Sequence, residues 1–274
     1  MTRQPPSLLT ASARVFDLSL GEMLWSRRTL FMSLVTGVPV LMALVVRAAD
    51  AFGGHVRISN VAVNGPSIFG MMIWLFFVRF TVPVLAVFYG TALIADEVED
   101  KTITYLFTRP IPRGAVLVGK FLAYLACTVG VVLPSVVIVW MLIVPMGGSL
   151  GANFVYLVTD LSILAIGLAA YGSVFACIGS ALKRPVIIGL VLILGWEPAV
   201  LAVPGYLKRL TVGYYVQGLV PHAMPNDSML SLLQGMVRET PSVTQSLTAI
   251  ALILVVCLAI GARNVASREY VLEQ

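Results

Sequence analysis

The chain has 274 residues, of which 59% are hydrophobic and only 11% charged, with a formal net charge of +5 and a mean hydropathy of +0.95. Soluble domains carry about 25% charged residues, so this much apolar surface excludes a soluble protein and reads as a polytopic membrane chain. Basic residues at membrane faces explain the positive charge without nucleic acid. The scattered Cys127, Cys177 and Cys257 and the distant His55 and His222 form neither a disulfide framework nor a metal motif.

The expected fold class is all-α, with six transmembrane helices. A polar leader, 1–28, comes first, and no cleavage pattern follows the first apolar run, which reads as a retained span. Within the leader Phe16, Leu20, Met23 and Leu24 recur at helical spacing, against Arg14, Asp17, Glu22, Arg27 and Arg28. That is an amphipathic helix suited to the membrane interface, or to packing on the protein's own cytoplasmic face; both can hold. The membrane domain is expected over 29–263. Span one covers about 29–46 and contains Pro39, and a polar loop reaches Pro66. Span two, about 68–95, exceeds the roughly 20 residues needed to cross, so it either tilts or projects from the bilayer.

The charged stretch 96–115 follows. Span three is expected near 116–144 and contains Pro134, then a turn over 145–151, then span four near 153–182. Lys183, Arg184 and Pro185 make a tight basic turn, because proline does not sit comfortably inside a continuing helix. Span five covers about 186–203. The segment 204–241 is broken by Gly205, Gly213, Gly218, Pro221 and Pro225 and reads as short surface or re-entrant helices buried in protein. Span six, about 243–262, leads to a tail, 264–274. Arginines 3, 14, 27 and 28, with Lys101, Arg109, Arg113, Lys120, Lys183, Arg184, Arg263 and Arg268, fall on one face. Only Arg47, Arg57, Lys208, Arg209 and Arg238 fall on the other. The positive-inside rule therefore puts both termini and the charged stretch in the cytoplasm of a multi-pass inner or plasma membrane protein.

The charged stretch is the most specific part of the chain. It holds Glu97 and Glu99, Thr102 is placed to cap a short helix, and Tyr105, Leu106 and Phe107 supply hydrophobic contacts for a groove in a partner. Pro110 and Pro112 stop that helix, Arg113 follows, and Gly119-Lys120 opens span three. The alternative is a loop that merely solvates two helix ends. The pattern Glu97-x-Glu99-x-x-Thr102, Leu106, Pro110-x-x-Arg113, Gly119-Lys120 resembles the ABC type-2 permease family, the membrane subunits of ATP-driven exporters. Lys101 stands where that family usually has glycine. The leader's Trp25-Ser-Arg-Arg28 end is similar to the family's interfacial connecting helix.

The resemblance implies that 96–115 is a cytoplasmic coupling helix gripped by a separate ABC ATPase subunit. It implies too that spans two and five line a path between two copies or paralogues of the permease. No P-loop G-x-x-x-x-G-K-[ST] occurs in the chain. Any ATP and Mg²⁺ therefore belong to the ATPase partner, and this chain is expected to be a non-catalytic subunit that binds no cofactor or metal itself, with membrane lipids as its other partners. Alternatives are an integral-membrane enzyme, which needs ionisable groups clustered at one depth, and a non-ABC secondary carrier or scaffold. Its substrate is not legible.

Arg79 and Glu197 are the informative pair of charges inside apolar spans. Rise per residue puts Arg79 about 22 Å and Glu197 about 18 Å from the cytoplasmic face, so they can meet. Asp160 lies higher and is the poorer partner for Arg79. Intramembrane charges are paired or functional. Arg79 and Glu197 are therefore read either as a gate or substrate contact in the path, or as a structural ion pair between spans two and five, or with Arg79 reaching out to the interface.

Overall fold

The computed structural model describes residues 8–25, 27–53, 57–58, 61–62, 64–99, 113–203, 205–220 and 241–267. These are helical apart from turns and a two-residue antiparallel ladder pairing Arg57–Ile58 with Val61–Ala62. Five helices are long and apolar enough to cross a membrane, and a sixth, Pro185–Leu201, is apolar but shorter. The all-helical, multi-pass expectation therefore stands.

Helix α1 spans Leu8–Leu24, and α2 spans Arg27–Ala51. The last residues of α2 run past the expected end of span one, where Arg47 pairs with Asp50 at 3.6 Å one turn later. Pro39 lies within this unbroken helix.

Span two, α3 (65–99), is composite. It begins as α-helix over Gly65–Met72, widens into a π-helix over Ile73–Thr81, and narrows over Val82–Leu85. It then widens again over Ala86–Gly90 and ends as Ala92–Glu99. An α-helix of this length rises about 1.5 Å per residue and would far exceed a hydrocarbon core of about 30 Å. A π winding places more residues in each turn and shortens the axis, so the surplus length is partly taken up in the winding itself.

Helix α4 covers Arg113–Ile143, and α5 covers Leu150–Ala181. Their turn holds Gly147 at φ 84°, a left-handed backbone that glycine adopts without a Cβ penalty. Ser149 caps α5, its hydroxyl accepting from Ala152 N–H at 3.3 Å. The N-terminal end of α3 is tied to this turn by Gly65 N–H donating to Met146 O at 2.7 Å. Pro185 begins α6 (185–202), an α-helix over Pro185–Val191, a π winding over Leu192–Trp196 and an α-helix over Glu197–Ala202. A 3-10 turn over Tyr206–Leu210 precedes the short helix α7, Val212–Leu219, and α8 covers Val243–Ser267.

Lipid offers no hydrophobic drive between helices, so close packing must hold them together. The centre of the protein is the seam between α3 and α5. A Cβ on Gly90 would lie 3.0 Å from Phe175 Cβ and 3.2 Å from Gly172 O, and one on Gly179 would meet the Thr91 backbone, 2.9 Å from its Cα. Gly172 lies under the ring of Tyr124 from α4, whose hydroxyl donates to Leu168 O at 3.0 Å. Tyr89, Tyr124, Phe77 and Phe175 are the bulkiest fully buried side chains around this seam.

The leader packs on α4. Its buried face is Ala11, Ser12, Val15 and Ser19, one stripe over from the expected face, while Phe16, Leu20 and Met23 are half-buried. A Cβ on Gly119 would come within 2.7 Å of Ser12 O. Small residues mark the buried stripe because the two backbones approach there, whereas the larger apolar residues lie along its edge.

Cys177 and Cys257 lie side by side between α5 and α8, with free thiols, so only Cys127 stands apart from another cysteine.

Candidate functional site

Three elements of the fold converge on Glu197. The residue is 6% exposed, and one oxygen of its carboxyl, Oε1, accepts two hydrogen bonds. Tyr171 Oη on α5 donates to it at 2.7 Å, and Gly213 N–H at the start of α7 donates at 2.6 Å. The first N–H groups of a helix have no partner within the helix and carry partial positive charge. Here one of them, Gly213 N–H, is satisfied by the carboxyl. Thr211 caps the same helix, accepting from Tyr214 N–H at 3.4 Å while donating to Lys208 O at 2.7 Å.

Glycine is needed at 213 because of the approach. A Cβ there would lie 2.7 Å from Glu197 Oε1 and 3.0 Å from Tyr171 Oη. The sequence marks Gly213 only as a helix breaker, and its structural reason is this clasp of α5, α6 and α7.

Beside the clasp lies a cleft of about 490 Å³, lined by α2, α3, α5, α6 and α7. Arg79, from the first π winding of α3, is exposed there with its guanidinium carbon 5.6 Å from the Trp74 ring centroid. Glu197 follows directly on the π winding of α6. π windings widen a helix locally and cluster at functional sites; Arg79 lies within one of the π windings of this chain and Glu197 directly after another, and both line one cleft. Pro39, Pro83 and Pro198 also line it, one from each of three helices. The rest of the wall is largely apolar, with Tyr171 and Gln217 as further polar groups.

Arg79 and Glu197 thus share a cavity and lie within electrostatic reach of one another. Among the described residues, no hydrogen bond or ion pair joins them. The hydrogen bonds of Glu197 go to Tyr171 and Gly213 instead, two residues that no sequence pattern had marked as site residues. Asp160 is fully buried on α5 and does not line the cleft.

The other candidate residues belong to the charged stretch. Glu97 and Glu99 fall in the last helical segment of α3, and Arg113 is the first residue of α4. Thr102, Tyr105, Leu106, Phe107 and Pro110 lie outside the described residues. At the Gly119-Lys120 pair, Gly119 seats α1 and Lys120 is buried.

The model of one family, described as ABC-2 family transporter protein, matches residues 14–265. No curated protein matches the chain.

Proposed function

This chain belongs to the ABC-2 family of transporter proteins, and from that premise we propose that it is the permease subunit of an ATP-driven exporter. The family match over nearly the whole chain carries the reading. ATP and Mg²⁺ act on a separate cytoplasmic ATPase, and two copies of this permease, or this chain and a paralogue, form the path. The short helix Pro185–Leu201 is the sixth crossing, since about 17 residues is the lower end of what spans a bilayer. Six crossings put both termini on one side. The distribution of Lys and Arg makes that side the cytoplasm of the inner or plasma membrane.

In this reading 96–115 is the coupling segment. Glu97 and Glu99 lead into it, Thr102 caps its helix, and Tyr105, Leu106 and Phe107 seat in the ATPase. Pro110 and Arg113 turn the chain back into α4. The long helices on either side of the segment support the idea, because a displacement of it is passed to both as to levers. The path runs through the cleft, with Arg79 as its charged contact and Glu197 holding its wall.

Affinity purification of the tagged chain in mild detergent tests the proposal. An ABC ATPase is expected to co-purify with the native chain, and to be lost with Leu106→Asp/Phe107→Asp while the yield and melting of the permease are unchanged. A chain that transports with no ATPase present, or one whose 96–115 segment is labelled from outside the cell, refutes it.

A further inference from the structure

We infer that the cleft at Arg79 binds an amphiphile with an anionic phosphate or carboxylate head and a single apolar tail. The inference rests on the permease reading and names the chemical class of its cargo. Glu197 is buried and its Oε1 is taken up by two donors, whereas Arg79 is exposed in the cleft, so the group the cleft offers to an anion is the guanidinium. A guanidinium in an apolar span is costly unless an anion meets it. It presents a planar fork of N–H donors that matches phosphate and carboxylate.

The remaining chemistry concerns the tail. Val38, Leu75, Phe80 and Leu194 line the cleft and are also exposed large hydrophobics, so its rim is apolar. A tail can lie there while the head reaches Arg79. The volume, about 490 Å³, is within the usual ligand range of about 300–1,000 Å³ and suits a head with part of one chain. Arg79 sits near the middle of the apolar helix Gly65–Asp96. In the permease reading, an anion held there is cargo in passage.

The test uses the full chain in phosphatidylcholine nanodiscs, titrated with dodecyl phosphate, dodecanol, dodecyltrimethylammonium, dilauroyl phosphatidic acid and inorganic phosphate. Dodecyl phosphate is expected to bind roughly ten- to a hundredfold more tightly than dodecanol, the range that a charge-assisted hydrogen bond gives. Dodecyltrimethylammonium and inorganic phosphate are expected to bind no better than dodecanol. Arg79→Gln is expected to reduce dodecyl phosphate to the dodecanol level, and Arg79→Lys to fall between.

Comparable binding of all three single-tailed probes overturns the inference, as does an Arg79→Gln chain that binds dodecyl phosphate normally. Tighter binding of dilauroyl phosphatidic acid than of dodecyl phosphate overturns the single-tail assignment. An Arg79→Gln chain that loses only self-association shows a second copy at Arg79 and also overturns it. The wild-type comparison needs no variant to fold. ATPase co-purification is independent of these titrations, so loss of this inference leaves the permease reading testable by itself.

Discussion

Replacing Tyr171 with Phe removes one O–H and leaves the shape of the ring. The hydroxyl it deletes donates at 2.7 Å to the carboxyl of the buried Glu197, so Glu197 Oε1 keeps only Gly213 N–H. Hydrogen bonds to charged groups contribute about 1.5–3 kcal/mol in water-soluble proteins. Between membrane helices the measured values average about 0.6 and reach about 1.7 kcal/mol. A buried donor–acceptor pair at this distance belongs near the top of the membrane range, so the expected cost is about 1–2 kcal/mol, a factor of roughly 5–30 in the folding equilibrium. The assay is reversible unfolding in mixed micelles, run as a double-mutant cycle with Glu197→Met, which keeps the length of the side chain and removes the acceptor. Contacting residues couple, and residues that act independently add within about 0.3–0.5 kcal/mol. A coupling of about 1 kcal/mol or more is therefore expected, and additive effects of Tyr171→Phe and Glu197→Met refute the clasp.

Two further substitutions probe the packing. Gly119→Leu puts a side chain where a Cβ alone already meets Ser12 O at 2.7 Å and Val15 Cβ at 2.8 Å; it is expected to lift α1 from α4, cost about 1–3 kcal/mol, and speed tryptic cleavage at Arg14. Unchanged cleavage at Arg14 means that α1 is not held there. Gly179→Val drives a branched side chain into the Thr91 backbone, which cannot rotate aside; a melting shift of at least about 1–3 kcal/mol is expected, whereas Gly130→Ala, with nothing within 4 Å, is expected to be neutral or slightly stabilising. Equal effects of the two contradict the seam between α3 and α5.

Much of the architecture could be read from the apolar runs. Lipid demands long unbroken apolar helices, so their existence is written directly into composition, and Pro145–Gly151 and Lys183–Pro185 mark where they stop. The ends were less legible. Arg47 and Asp50 look like loop residues, yet an i,i+3 pair carries α2 on to Ala51. A proline inside a helix ordinarily breaks or kinks it, but around Pro198 the helix widens over Leu192–Trp196 and continues. No periodicity announces a π winding, because it depends on neighbours elsewhere in the fold.

The site was half legible for a similar reason. Arg79 and Glu197 stand out as charges among apolar residues, and both line one cleft. The hydrogen-bond partners of Glu197 do not stand out. Tyr171 is one of several aromatic residues and Gly213 one of many glycines; their role depends on separations of 26 and 16 residues that only the fold closes. Likewise the leader's buried stripe is made of alanine, serine and valine, which a search for large apolar residues passes over.

The glycine seam between α3 and α5 has a mechanical consequence for the cleft beside it. Where Gly90 and Thr91 rest directly against Gly172 and Gly179, the contact is backbone against backbone, with no side chain able to change rotamer and absorb a shift. The two helices must travel as one anvil. Motion that widens the cavity is left to α2 on one flank, or to the C-terminal half of α6 on the other, and the latter cannot swing while Tyr171 and Gly213 hold Glu197. Phenol and amide together are then a latch on that half of α6.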